Sequence, residues 1–199
     1  DCFHINTTAG TYQTKTVFLS SGGRAYPKLG SDGSGYDLAI QCGHQITKTF
    51  PALTGLHCRE KICKELAGVR AEGEVTFYWD KIVIAKDVGE IQFTKYGISG
   101  IPVFGCCGRV EKQLDLGNEI TAMISLLPSM NEQDINIFLF HSCKTHPEFL
   151  ASDVLCGLIH SKIVPCLFKM THMDMNMRAN ELSKQDINQL VIAMKNIPF

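Results

Sequence analysis

The stretch of this sequence that could most directly do chemistry is a glycine-rich run, SSGGRAYPKLGSDGSGYDLAIQCGH, over residues 20–44. Because glycine has no side chain, a flat ligand or another backbone can approach it closely. The second glycine cluster precedes an apolar-periodic segment, and the free N–H groups at a helix N-terminus favour anionic groups. The spacing matches neither phosphate signature, since Leu38 stands where the dinucleotide fingerprint needs its third glycine and no Gly-Lys-Ser/Thr follows. On the residues alone, a cofactor cradle and a plain strand–turn–helix connection both remain open.

Cysteine, histidine and methionine are frequent, but their spacing defines neither a metal site nor a nucleophile. His141, Cys143 and His146 have no second Cys/His pair at zinc spacing. The methionines of residues 169–180 are more typical of a loop that packs between helices, and no metal is expected. The adjacent Cys106 and Cys107 are expected to be small residues at a close-packed turn. The nine cysteines lie in apolar surroundings, which predicts mainly free buried thiols in a reducing cytoplasm.

Composition and charge limit the classes of partner. The chain of 199 residues is 45% hydrophobic and 20% charged, as in packed globular proteins. A formal net charge of −1 predicts no general attraction to nucleic acid or to an anionic membrane. No apolar run approaches the roughly 20 residues that span a bilayer, and no secretory leader is recognisable. We expect a cytoplasmic protein, and the initial Asp1 suggests a segment of a longer chain.

Hydrophobic periodicity predicts an α+β chain that is mostly β over about 53–127 and helical after residue 128. The predicted elements fall in three parts, residues 1–50, 51–128 and 129–199. In the first part, the apolar run at 17–19 predicts a strand, and residues 35–42 predict a helix that stops at Gly43. In the second part, Val75, Phe77 and Trp79 alternate with polar residues in the clearest strand pattern of the sequence.

Helix signals occur late in the second part and throughout the third. Ser99 is predicted to cap a helix that has Pro102 in its first turn. After residue 128, three segments have the 3.6-residue period, and Ser183 with Asp186 forms a near capping box. A mostly β part followed by an all-helical part is therefore expected, with a break near residue 128.

Two motifs resemble those of the bacterial aminoacetone oxidase-like, or BaiN-like, NAD(P)/FAD-dependent flavoproteins. The first is VFLSSGGRAYPKLGSDGSGYDLAIQCGHQITKTFPALTGL at 17–56, and the second is GEIQFTKYGISGIPVF at 89–104. The resemblance covers the whole chain, more loosely in its helical third. It implies that residues 1–50 are a remnant of an FAD-binding domain (strand, glycine-rich turn and helix) and that the rest is the family's insert domain. That insert would be a small mixed β-barrel at 51–128 followed by an all-helical subdomain at 129–199. This sequence departs from the family pattern at four sites: Ser20–Ser21, Ala25, Ser34 and Lys95, which replaces a histidine.

The resemblance also implies a site and a function. The parent would be an FAD-dependent oxidoreductase of an unidentified small molecule, and the isolated segment would be inactive and bind FAD weakly or not at all. Its partners would be that substrate and the remainder of its own FAD-binding domain, with a homo-oligomer as a further option. Residues implied to contact the cofactor are Gly22, Gly23, Arg24, Tyr26, Pro27 and Gly30. Residues implied to face the substrate are Phe93, Tyr96, Gly97, Ser99 and Gly100.

A competing interpretation is a non-catalytic interaction or oligomerisation module built from a barrel and helices. Such modules occur in nucleic-acid-binding proteins, but the lysines and arginines are spread evenly and form no basic stripe. No catalytic residue can be named from the sequence.

Overall fold

A computed structural model describes residues 2–199, which divide into two compact units. The first unit ends at Thr49, and the second is Phe50–Phe199.

The first unit contains a β-hairpin and one helix. Strands β1 (Phe3–Thr7) and β2 (Gly10–Thr14) pair antiparallel, and helix α1 is Ser34–Gln41. The helix stops as the sequence predicts: Gly43 has φ +88°, and its N–H donates to the Ile40 carbonyl at 2.9 Å. The strand predicted at 17–19 is wrong, because residues 16–23 form no regular secondary structure. No strand among residues 2–199 pairs with this segment, and an apolar run without a neighbouring strand forms no ladder.

The first unit has almost no core of its own. Gly35 is its one buried residue among those described. Phe18 is 90% exposed and Leu29 is 83% exposed, although both are large and apolar. A segment that buries so little apolar surface gains little stability from its own packing.

The second unit is built on a six-stranded antiparallel sheet in the order β3-β6-β5-β4-β7-β8. The strands are β3 (Leu56–His57), β4 (Arg70–Trp79), β5 (Ile82–Thr94), β6 (Gly97–Gly100), β7 (Ile120–Leu126) and β8 (Ile197–Pro198). The predicted alternation is confirmed in β4, where Val75 and Phe77 are buried. Trp79, at the end of the strand, is 41% exposed, and Thr76 on the opposite face is also buried. The sheet curls into a half-barrel.

Six helices complete the second unit: α2 (Ile62–Leu66), α3 (Ile101–Asp115), α4 (Glu132–Thr145), α5 (Ala151–Cys156), α6 (Val164–Thr171) and α7 (Lys184–Lys195). Helix α7 begins with the predicted box: the Ser183 Oγ accepts from the Asp186 N–H at 3.1 Å, and the Asp186 carboxylate accepts from the Ser183 N–H at 2.8 Å. No helix among residues 2–199 has the length and apolarity to cross a bilayer.

Two local predictions about α3 are wrong. Gly100, with φ +106°, is the N-cap, and Ser99 lies in β6, because the strand continues up to the first residue of the helix. Cys106 and Cys107 are buried in the middle of α3 and not at a turn. Pro102 does occupy the first turn of α3 as predicted.

One hydrophobic core runs from Leu56 to Phe199 and joins the sheet to the helices. The predicted α+β class, a barrel-like sheet followed by helices, is confirmed. Of the nine cysteines, five are buried in this core.

Candidate functional site

The glycine-rich run of the first unit is held by the side chain of Ser31. Its Oγ donates to the Gly23 carbonyl at 2.9 Å and accepts from the Ala25 N–H at 3.1 Å. The Tyr26 carbonyl accepts from the N–H groups of Leu29 (3.0 Å) and Ser31 (3.3 Å). The run is therefore a turn of defined shape, and the sequence carried no signal that Ser31 would close it.

The glycines of this turn differ in what lies beside them. Gly22 has φ +79° and Gly30 has φ +93°, and a Cβ at either position would meet nothing within 4 Å. Their backbones are open to a ligand. At Gly23 the Cβ position lies 3.0 Å from the Tyr36 hydroxyl, and at Gly35 it is already occupied by the Ser21 side chain. Those two glycines make room for the protein's own side chains.

The other implied cofactor contacts are exposed in this unit. Tyr26 is 56% exposed, and Arg24 and Pro27 are also exposed. The Arg24 side chain packs over Gly33, whose Cβ position lies 3.3 Å from the Arg24 Cδ. Asp32 accepts from the Ser34 N–H at 2.9 Å, and this hydrogen bond lowers the pKa of its carboxyl. The turn thus presents open backbone, an aromatic ring and a guanidinium to solvent, while its role in cofactor binding stays a prediction.

The turn between β5 and β6 carries the implied substrate-side residues of the second unit. The Thr94 Oγ1 donates to the Gly97 carbonyl at 3.0 Å, and the Tyr96 carbonyl accepts from the Cys58 N–H at 2.8 Å. The Tyr96 ring is 52% exposed and stacks on His57 with the ring centroids 4.7 Å apart. Tyr96 and His57 form the accessible aromatic surface of this turn.

Phe93, one of the residues implied to face the substrate, is a core residue. Its side chain is fully buried and packs against Phe199, with the ring centroids 5.6 Å apart. It anchors the end of β5 in the core.

Gly97 and Gly100 are required by strand packing. At Gly97 a Cβ would collide with the Leu56 carbonyl oxygen and lie 2.9 Å from the Cys58 nitrogen, both of them backbone atoms. At Gly100 it would collide with the Glu90 carbonyl oxygen. Both glycines therefore let β6 fit between β3 and β5, and this accounts for them without a ligand.

Ser99 is half-buried and faces Gly55. A Cβ on Gly55 would lie 3.2 Å from the Ser99 Oγ. Gly55 was not predicted to matter, because its close approach to β6 depends on a pairing between strands that lie about forty residues apart in sequence.

A cleft of about 780 Å³ opens in the second unit between the two ends of the curled sheet. One wall is residues 55–60, the opposite wall is residues 117–122, and α3 contributes Val110, Glu111 and Leu114. Its floor includes the core residues Phe77, Ile98 and Phe199. Across the walls, the Arg59 Nη1 lies 3.3 Å from the Glu119 Oε1. We call this cleft the seam, and nothing in the sequence indicated it.

The thiols beside the seam are unsuited to nucleophilic chemistry at neutral pH. Burial, followed by the nearby Cys63 and Glu60, raises the pKa of the Cys58 thiol to about 12. Burial also raises the pKa of Cys63. Since the thiolate is the reactive form, Cys58 stays protonated and inert. No group of three or more His, Cys, Asp or Glu side chains within residues 2–199 is arranged to hold a metal ion.

Comparison with known proteins identifies the family of this chain. Residues 50–199 match a protein family described as the HI0933-like protein barrel and H2TH domain. The chain is 35% identical over 194 residues to the 3-dehydro-bile acid delta(4,6)-reductase of Clostridium scindens. The match covers 97% of this chain and 47% of that protein, so the chain spans about half the length of this curated relative. The resemblance stated from the two motifs is confirmed.

Proposed function

The chain belongs to the HI0933-like family of flavoproteins, and from this premise we propose that it forms part of an FAD-dependent oxidoreductase acting on a small molecule. The family membership and the named reductase support flavin-dependent oxidoreduction as the general activity. Within this proposal, the first unit contributes to the flavin pocket and the second unit covers the substrate side.

The observation that carries the flavin assignment is the open backbone at Gly22 and Gly30 within the family's glycine-rich motif. Both glycines have positive φ, and the space where a Cβ would stand is empty. Turn glycines outside the motif, such as Gly68 and Gly117, have the same positive φ and open space, so the motif is needed together with the geometry. A planar ring can lie directly against such backbone, whereas any L-amino acid there would be strained and would project a side chain. The residues present therefore fit one face of a flavin site, although this chain has no glycine fingerprint to hold the pyrophosphate.

The bound flavin would supply the hydride or electron transfer, and the chain's own residues would position and shield the reactants. Gly22 and Gly30 would admit the flavin to the backbone, and Ser31 would hold the turn in shape. Tyr26 would contact the cofactor edge, and the Arg24 guanidinium would favour negative charge there. Tyr96, stacked on His57, would offer an aromatic surface and a hydroxyl to the substrate.

The exposed apolar side chains of the first unit support a partner. Phe18, Leu29 and Ile40 are 90%, 83% and 53% exposed, in a unit whose described residues bury only Gly35. A unit that buries so little apolar surface needs further contacts for its stability. We infer that the rest of the FAD-binding domain covers these side chains. Residues 1–199 tested without that domain should bind FAD weakly or not at all.

The substrate class is proposed from the relative's name. That protein is called a bile acid reductase, and steroid-like unsaturated ketones are therefore the first compounds to test on the parent.

The test is flavin binding by the full-length parent purified without harsh steps. We expect a visible flavin absorbance band, and Tyr26→Ala should reduce the flavin content, whereas Tyr12→Ala in β2 should not. Tyr12 is a matched control because it is 55% exposed and lies outside the turn. A parent that contains no flavin and binds none on addition would refute the assignment.

A further inference from the structure

The geometry points to the seam as a binding site for a small molecule with an apolar body and a cationic amine end. This inference depends on residues 55–122 and 199 of the second unit and requires neither the flavin nor the proposed reaction. The seam shares one lining residue, His57, with the aromatic surface assigned above to the substrate. Nothing in the family match or in the relative's name assigns a ligand to this cleft.

The size and the floor of the seam fit a small ligand. Its volume of about 780 Å³ lies within the range of small-molecule pockets, which is roughly 300–1,000 Å³. The floor reaches core side chains that are almost fully buried: Phe77 (2% exposed), Ile98 (0%) and Phe199 (5%). At the mouth, Leu114 is 43% exposed although it is apolar. The core side chains close the bottom of the seam, and an apolar body bound here would cover the exposed face of Leu114.

The seam exists because the sheet does not close. Strand β3 has only two residues, and β8 pairs with β7 at Met123 and Ile124. The chain ends one residue further on, at Phe199, which exchanges two backbone hydrogen bonds with Ala122 at 2.7 and 2.8 Å. Within the described residues, Ile120 and Thr121 of β7 have no strand on this side and face the loop that follows β3 across a gap. In a closed barrel, neighbouring strands would fill that space with their own hydrogen bonds and side chains.

The charges around the mouth select the polar end of the ligand. The seam is lined by the carboxylates of Glu60, Glu111 and Glu119 and by one permanent cation, Arg59. Arg59 is already paired with Glu119. Glu60 and Glu111 form no ion pair with any residue that the structure describes. The excess negative charge favours a cation and disfavours a carboxylate at the mouth.

The Arg59–Glu119 pair spans the two walls but does not seal them. Both side chains are about nine-tenths exposed, at 90% and 88%. An ion pair this exposed contributes little stability, since water and salt screen it, so an entering ligand can displace it.

The experiment compares three ligands that share one tail and differ in the head group: octylamine, octanol and octanoate. Each is titrated into the 199-residue chain by calorimetry, and the binding surface is mapped by amide chemical shifts. We expect saturable binding of octylamine, tighter than octanoate by about tenfold. The shifted amides should lie in residues 55–60 and 117–122. Absence of saturable binding, shifts centred elsewhere, or tighter binding of octanoate would each overturn the proposal.

Two pairs of variants sharpen the test. Leu114→Trp should fill the mouth and weaken octylamine binding by about tenfold, while Leu116→Trp should not, because Leu116 is exposed at the end of the same helix but does not line the seam. Glu111→Gln should reduce the preference for the amine over octanol, while Glu72→Gln on β4 should leave it unchanged. If each control variant changed binding as much as its partner, the seam would not be the site.

Discussion

Substituting Gly97 by alanine tests whether the glycines of the FTKYGISG turn serve strand packing or ligand approach. Gly97 has φ +157°, and a Cβ there would collide with the Leu56 carbonyl and lie 3.0 Å from the His57 Cα. These are backbone atoms of a paired strand, so β3 would have to move away from β6. A disfavoured backbone conformation costs about 1–3 kcal/mol. Overpacking costs about 1–3 kcal/mol more, and we expect Gly97→Ala to lower the free energy of unfolding by about 4 kcal/mol.

The matched control is Gly108→Ala in the middle of α3. A Cβ on Gly108 would meet nothing within 4 Å, and its backbone is helical. Alanine should therefore raise the free energy of unfolding by about 0.5–1 kcal/mol, because glycine is a poor helix former.

The assay is urea unfolding followed by fluorescence of Trp79, which is the one tryptophan of the chain and lies in β4 of the second unit. A parallel thermal scan should show the melting temperature of Gly97→Ala lowered by about 8–16 °C. The strand-packing explanation would be refuted if Gly97→Ala unfolded within about 0.5 kcal/mol of the unmodified chain, the margin expected of an innocuous surface change. A Gly97→Ala variant that does not fold at all would also agree with the prediction, as its most severe outcome.

Three further outcomes follow from other contacts. Lys195→Met should lower the free energy of unfolding by about 2 kcal/mol in urea titration, because the Lys195 Nζ donates to three carbonyls, those of Leu126 and Leu127 at 2.8 Å and of Met130 at 2.7 Å. An unchanged urea midpoint would contradict this. Ser183→Ala should lower the free energy of unfolding by about 1 kcal/mol, because the N-cap of α7 is lost. A decrease in urea titration no larger than that of a Ser→Ala change elsewhere on the surface would count against this prediction. Maleimide labelling followed by mass spectrometry should modify the exposed Cys42 and leave Cys58 unlabelled from pH 7 to 9. The Cys58 pKa of about 12 keeps its thiolate scarce below that value, so rapid labelling of Cys58 at pH 8 would show this pKa to be wrong.

The sequence predicted the elements whose signals are local. The alternation through Val75 and Phe77 predicted β4, and the capping residues Ser183 and Asp186 predicted the start of α7. Gly43 marked the end of α1. Each of these signals lies within a few residues of the element it defines, because side-chain periodicity and capping are properties of one segment.

Local signals failed where the outcome depended on a partner. The apolar run at 17–19 has the composition of a strand, but it has no strand beside it in the described chain. Ser99 is a good capping residue by type, yet pairing with β5 keeps it in β6 and leaves Gly100 as the cap. A strand exists only with its neighbour, whereas a helix makes its own backbone hydrogen bonds.

For this protein, the sequence by itself determined the α+β class, the end of α1, the start of α7 and, through its two motifs, the flavoprotein family. Only the tertiary structure decided what the motif glycines do. The backbone at Gly22 and Gly30 is open, whereas the space beside Gly97 and Gly100 is occupied by neighbouring strands. The tertiary structure alone created the seam, whose walls lie some sixty residues apart in sequence, as the pair Arg59 and Glu119 shows. The reason is that the space beside a residue depends on the register and curl of strands that are distant in sequence. A sequence pattern reports only the local preferences of its own segment.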